Sequence, residues 1–60
     1  MNVTEVAVIK AAREYAAKNG QNDTKAVVVA TDEIRNIRFR FTGDQYQQEL
    51  EGLYQRYAQS

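Results

Sequence analysis

The feature that most constrains this chain is the absence of cysteine from a length of only 60 residues. A domain of this size hides roughly 60% of the surface that its unfolded chain exposes, so its stability is marginal. Small domains usually gain stability from disulfides, a bound metal or a partner chain. Without cysteine no disulfide and no thiolate metal site can form. We therefore expect a single domain, residues 1–60, that is stabilised by forming a homodimer; the alternative is an unusually well-packed monomer.

The charge of the chain is balanced, with eight basic and eight acidic residues and a formal net charge of zero. This balance argues against a general electrostatic attraction to DNA, RNA or an anionic membrane. No apolar run approaches the length of a membrane-spanning helix, and the N-terminus lacks the pattern of a signal peptide. The composition predicts a cytoplasmic protein without a membrane partner, and the lack of cysteine agrees with a reducing compartment.

The N-terminal third is predicted to form a helix from about Val3 to Asn19. Either Asn2 or Thr4 can cap its first turn, and small and apolar residues gather on one side at helical spacing. Val3 and Val6 lie on the other side. Either a loop covers these two valines, or they contact a partner chain.

Two segments in the middle of the chain have the composition of β-strands. Lys25–Thr31 (KAVVVAT) is a short β-branched run, and Asn36–Thr42 (NIRFRFT) alternates apolar and polar residues. In the second segment Ile37, Phe39 and Phe41 would share one face, as in a strand with one buried side. We therefore predict two antiparallel strands joined by a loop of about four to six residues.

A second helix is predicted after Gly43, with Asp44 as its N-cap. Its apolar stripe is formed by residues at helical spacing: Tyr46, Leu50, Leu53, Tyr54 and Tyr57. The tyrosines are expected to pack in the core with their hydroxyls at its rim, and Tyr57 is the one best placed to reach a partner. The predicted fold class is α+β, in the order helix–strand–strand–helix, with both helices on one face of a two-stranded antiparallel hairpin.

The open edges of such a hairpin predict the way in which two copies would associate. Pairing two hairpins edge to edge would complete a four-stranded sheet across a two-fold axis. The first strand is the better edge, because Val27, Val28 and Val29 carry no protective charge. We expect the dimer contacts at these valines or at Val3 and Val6 of the first helix.

Catalysis has little support in the residue types present. The chain has no histidine to act as a general base, and its only serine is Ser60. The carboxylate pairs Asp32–Glu33 and Glu49–Glu51 are typical of solvated charge, and the three glycines stand too far apart to form a phosphate-binding loop. We predict that the protein is not an enzyme and binds neither a cofactor nor a metal.

The strongest candidates for contact with a partner are four residues of the second predicted strand: Arg35, Asn36, Arg38 and Arg40. Arg38, Arg40 and Asn36 would project from one sheet face, and arginine pairs bidentately with phosphate or carboxylate and stacks on bases. The alternative is a solvated outer face on which the arginine stems cover neighbouring alanines. This row of arginines predicts contact with a partner protein. The runner-up hypothesis is a dimer that binds nucleic acid through a β-ribbon.

The predicted element order resembles that of the double-stranded-RNA-binding domain. That fold has a third strand, and its second helix opens with a lysine-rich motif where this chain has Asp44-Gln45-Tyr46-Gln47. Ribbon–helix–helix repressors also dimerise through strands, but in the order strand–helix–helix. In size and in lacking catalytic residues, the chain is similar to phage accessory proteins, including inhibitors of host defence. These features predict a non-catalytic interaction module, namely a dimeric inhibitor or adaptor of the phage or mobile-element type. A structural subunit of a larger assembly is the third hypothesis.

Overall fold

A computed structural model describes residues 2–59 of the chain, and this part forms a bundle of three helices. Helix α1 spans Glu5–Lys18, α2 spans Asp23–Arg40 and α3 spans Gly43–Ala58. Glu5 at the start of α1 contacts Arg38 at the end of α2, so these two helices are antiparallel. Helix α1 packs closely against both others, whereas α2 and α3 contact each other less.

The predicted α+β fold class is wrong, and with it the description as a small α/β domain. The two segments assigned to strands, Lys25–Thr31 and Asn36–Thr42, lie almost entirely within α2. Residues 2–59 therefore contain neither the predicted hairpin nor strands that could form a four-stranded sheet in a dimer. Helix α2 runs through both because no glycine or proline occurs between Gly20 and Gly43. Each β-branched residue lowers helix stability by at most about 0.7 kcal/mol relative to alanine, and the burial of one helix face outweighs this loss.

The buried face of α2 repeats at helical spacing. Val27, Ala30, Ile34 and Ile37 follow one another at intervals of three and four residues, and the middle two are enclosed. The strand prediction would place Ile37 and Phe39 on the same buried face. On the helix they point in different directions, so Ile37 packs against the core whereas Phe39 is 90% exposed.

The core lies between the three helices and contains few large side chains. Its enclosed apolar cluster draws on every helix and on the segment before α1: Val3, Val8, Ile34, Leu50 and Leu53. Ala12 and Ala16 of α1 are 0% exposed, as is Ala30 of α2. Because alanine side chains are short, they let the helix backbones approach closely around this cluster.

The two helices that the sequence predicts are present as α1 and α3. Helix α1 begins at Glu5 because Thr4 caps it, with the Thr4 hydroxyl oxygen accepting a backbone N–H of the first turn at 3.1 Å. Helix α3 begins at Gly43, and its N-cap is Thr42 rather than the predicted Asp44. The side chain of Thr42 makes no capping hydrogen bond.

Removing the cap of α2 is expected to weaken the bundle. The side-chain oxygen of Asn22 accepts the backbone N–H of Lys25 at 3.0 Å, so Asn22→Ala leaves that donor without its partner. We expect the free energy of unfolding, measured by urea titration, to fall by about 1 kcal/mol. Thr42→Ala is the matched control, because Thr42 holds the same position in α3 without a side-chain bond. An equal loss in both variants would contradict the capping role of Asn22.

Candidate functional site

The predicted contact residues all lie on α2: Arg35, Asn36, Arg38 and Arg40. Successive residues of a helix turn by about 100°, so Arg38 and Arg40 point to nearly opposite sides instead of sharing a sheet face. Arg38 is hydrogen-bonded to Glu5, and the Arg40 guanidinium lies 5.7 Å from the centroid of the Phe41 ring. The predicted row of arginines on a sheet face is therefore wrong.

One carboxylate joins all three helices at the end of the bundle where α1 begins. Glu5 accepts hydrogen bonds from the Arg38 Nη2 at 2.5 Å, from the Arg38 Nε at 3.3 Å and from the Tyr46 hydroxyl. The Tyr46 hydroxyl first, and Arg38 second, hold the pKa of Glu5 below its usual range. The same bond to Glu5 raises the pKa of Tyr46. Arg38 therefore serves to connect α2 with α1 in this fold.

A groove lies between α1 and α3 and extends along α1 from Ala7 to Lys18. Tyr15, Tyr54 and Tyr57 form its walls, alanines lie between them, and its volume is about 480 Å³. We call this depression the tyrosine groove. The rings of Tyr15 and Tyr57 meet edge to face, with centroids 5.9 Å apart and planes inclined by 61°. Both rings also border two neighbouring depressions of about 370 and 550 Å³.

The hydroxyls of these three tyrosines differ in their hydrogen bonding. Tyr57 donates to the Glu33 carboxylate on α2 at 2.7 Å. Burial, and after it this hydrogen bond, raises the pKa of Tyr57 to about 12. The hydroxyls of Tyr15 and Tyr54 have no hydrogen-bond partner among residues 2–59. Two aromatic walls of the groove thus carry polar groups that can bond to a ligand.

Basic side chains outnumber acidic ones around the tyrosine groove and its two neighbours. The basic residues that line the three depressions are Lys10, Lys18, Lys25 and Arg56. The acidic ones are Glu14 and Glu33, and Glu33 already accepts the Tyr57 hydroxyl. The local excess of positive charge favours an acidic ligand over a basic one, although the whole chain is neutral.

A second surface lies on the side of α2 that faces away from both other helices. Val28 is 55% exposed and Phe39 is 90% exposed. Asp32 and Arg35 lie between them, and the four residues are spaced by four, three and four positions, which places them on one strip of the helix. We call these four residues the outer α2 face. The strip thus carries an exposed apolar side chain at each end and two opposite charges between them.

The five predicted dimer contacts lie in different environments. Val3 belongs to the core at 6% exposure, and Val27 is half-buried beside a depression that α1 also lines. Val6, Val28 and Val29 are exposed, at 75%, 55% and 45%. These three are the ones that a second chain could reach without a change in the fold.

Val28 and Arg35 are among the contacts predicted from the sequence, but neither the tyrosine groove nor the outer α2 face is predicted as a surface. The strand interpretation assigns Phe39 to a buried face, and the tyrosines are assigned to the core because they lie on apolar stripes. The four–three–four spacing of Val28, Asp32, Arg35 and Phe39 is the signal that identifies the outer face once α2 is read as one helix.

Comparison of the chain with protein families, with curated protein sequences and with solved structures finds no match. Among residues 2–59 no three potential metal ligands of the histidine, cysteine or acidic type cluster together. No helix in the same range is both long and apolar enough to cross a lipid bilayer. Ser60, the only serine, lies outside the described residues. The tyrosine groove and the outer α2 face are the candidate functional surfaces.

Proposed function

We propose that this protein is a non-catalytic interaction module that binds an acidic segment of a partner protein in the tyrosine groove, as an inhibitor or adaptor. The observation that carries the proposal is the pair of unpartnered hydroxyls, of Tyr15 and Tyr54, on the walls of a groove of about 480 Å³. Ligand sites in proteins commonly have volumes of about 300–1,000 Å³. The groove is therefore large enough to accept one or two side chains of an extended segment.

The residue types of the groove favour a protein ligand. Tyrosine is enriched among the residues that dominate binding energy, because it offers a large contact area and loses little side-chain entropy. The alanines between the walls, Ala7, Ala11 and Ala58, leave room for the ligand to approach the helices. Lys10 and Lys18 on the same side of α1 supply charge that complements aspartate or glutamate on the ligand.

The non-catalytic part of the proposal rests on the residue types of the chain, which has neither the histidine nor the cysteine that most often supply a base or a nucleophile. We place the protein in the cytoplasm on the same composition, since a cysteine-free chain suits a reducing compartment. Single-stranded nucleic acid is the rival ligand, because bases stack on tyrosine and phosphates attract lysine.

Selection from a random peptide library displayed on phage tests the proposal with a defined probe. We expect the selected peptides to carry aspartate or glutamate next to an apolar or aromatic residue. Their affinity, measured by fluorescence anisotropy, should fall about tenfold on Lys10→Glu, because the charge then repels the acidic ligand. Tyr54→Phe, which removes only a hydroxyl, should weaken binding by a smaller factor.

Arg13→Glu is the matched control for the charge change. Arg13 is exposed on the same helix three residues from Lys10, but it borders a different depression. Equal loss of affinity in both variants would show a general charge effect and contradict the groove as the site. Retention of the protein on heparin, with binding that weakens steeply as salt rises, would favour the nucleic-acid ligand instead.

A further inference from the structure

We infer that the outer α2 face is a docking surface for a second copy of this chain, in which the two α2 helices pack antiparallel across a two-fold axis. This face and the tyrosine groove share no residue. The pairing therefore does not depend on the proposed ligand of the groove, and each can be disproved without the other.

The outer α2 face is complementary to itself when the helix direction is reversed. Val28 and Asp32 are four residues apart, as are Arg35 and Phe39, and three residues separate the two pairs. A two-fold axis that crosses α2 between residues 33 and 34 sets Val28 opposite the partner's Phe39. The same axis sets Asp32 opposite the partner's Arg35. Every contact then occurs twice, as a two-fold interface requires.

The spacing of the face is that of a helix–helix seam. Intervals of four, three and four residues are the pattern by which two helices keep one stripe in contact along their length. In the antiparallel pair, Asp32 lies against the partner's Arg35 in each of the two central layers. Val28 lies against the partner's Phe39 in an apolar layer at each end. Neither Asp32 nor Arg35 forms an ion pair within residues 2–59, so both charges are available to a second chain.

Charge also selects the orientation of the two helices. A parallel pair would set Asp32 against the partner's Asp32 and Arg35 against the partner's Arg35, so that both central layers repel. The antiparallel pair turns both layers into attractions. Exposed charges alone contribute little to affinity, and most of the binding energy would come from burying Phe39, which is 90% exposed in the single chain.

The size of the face predicts a weak, reversible dimer. The strip from Val28 to Phe39 is about 16 Å long at the rise of an α-helix. One helix pair of this length buries less surface than the roughly 1,200 Å² of a stable interface. We therefore expect a dissociation constant of about 0.1 mM.

Sedimentation equilibrium of charge-reversed variants tests the pairing. We expect Asp32→Arg and Arg35→Asp each to weaken the dimer at least about tenfold, because each creates two repulsive layers. The double variant Asp32→Arg/Arg35→Asp should dimerise as the unmodified chain does. An equimolar mixture of the two single variants should also associate. A double variant that associates no better than the single variants would overturn the inference, as would an unmodified chain that stays monomeric at about 1 mM, ten times the expected constant.

Apolar variants separate this face from the other exposed valine surface. Phe39→Glu should abolish dimerisation, whereas Val6→Glu, a similar change at a 75% exposed position of α1, should leave it intact. The opposite result would place the interface on α1 and overturn the inference. Circular dichroism of each variant checks that the helices remain folded.

The helix orientation is measured with one spin label. Because the chain contains no cysteine, Lys25→Cys provides a single attachment point. Across the proposed axis the two labelled positions lie about 25 Å apart along the helices. A parallel pair would bring them to about 10 Å, the distance between packed helix axes. A measured label distance near the shorter value would therefore overturn the antiparallel pairing.

Discussion

Leu53→Ala is expected to lower the free energy of unfolding by about 2–5 kcal/mol, the loss that truncation of an enclosed leucine causes. Leu53 is 1% exposed and is one of the three largest side chains that the core encloses completely. A chain of 60 residues has a total stability of about 3–9 kcal/mol at ordinary stability per residue. The variant should therefore be largely unfolded at temperatures where the unmodified chain is folded.

Val28→Ala is the matched control for this prediction. Val28 is an apolar helical residue that is 55% exposed, so its truncation should change stability by no more than about 0.5 kcal/mol. Urea titrations followed by circular dichroism compare the two variants at a protein concentration far below that needed for dimerisation. A loss in Leu53→Ala as small as that of the control would contradict a core built between α1, α2 and α3.

The same core explains why α3 could be predicted from the sequence and α2 could not. The sequence of α3 shows one period only, that of a helix, and this period sets the core-facing residues, such as Leu50 and Leu53, apart from the polar ones. The sequence of α2 contains two periods at once. Ile37 belongs both to an alternating strand pattern and to a helical series that starts at Val27. Such overlap is decided by tertiary packing and by the lack of a helix breaker rather than by local propensity.

The Glu5 contacts and the tyrosine groove depend on residues that are distant in the sequence, and for that reason they could not be predicted. The alternating pattern of residues 36–42 identifies Arg38 as a candidate contact residue, but its carboxylate partner, Glu5, lies 33 positions away in the chain. The tyrosine groove likewise needs Tyr15 from α1 beside Tyr57 from α3. The sequence predicts Tyr57 as the tyrosine best placed to reach a partner, and in the fold its hydroxyl donates to Glu33. The residues that surround Tyr57, such as Tyr15, follow only from the packing of the helices.

The hydroxyl of Tyr57 is expected to ionise about two pH units above an ordinary tyrosine, because its pKa is raised from 10.0 to about 12. In the unfolded chain the same hydroxyl titrates near its ordinary value. The contribution of Tyr57 to stability is therefore fully present below about pH 10 and is lost as the pH rises through 12. Tyr57→Phe removes the group, so this variant should lose less stability over that pH interval than the unmodified chain.

Glu33→Gln separates the two causes of the raised pKa of Tyr57. Burial is the larger cause, and the hydrogen bond to the Glu33 carboxylate is the second. The glutamine oxygen can still accept the bond but carries no charge, so we expect the pKa of Tyr57 to fall only part of the way towards 10. Ultraviolet absorbance of the phenolate, assigned to Tyr57 by its loss in Tyr57→Phe, measures the pKa. Titration of Tyr57 near 10 in the unmodified chain would mean that α2 does not cover its hydroxyl, and the contact between Tyr57 and Glu33 would then be wrong.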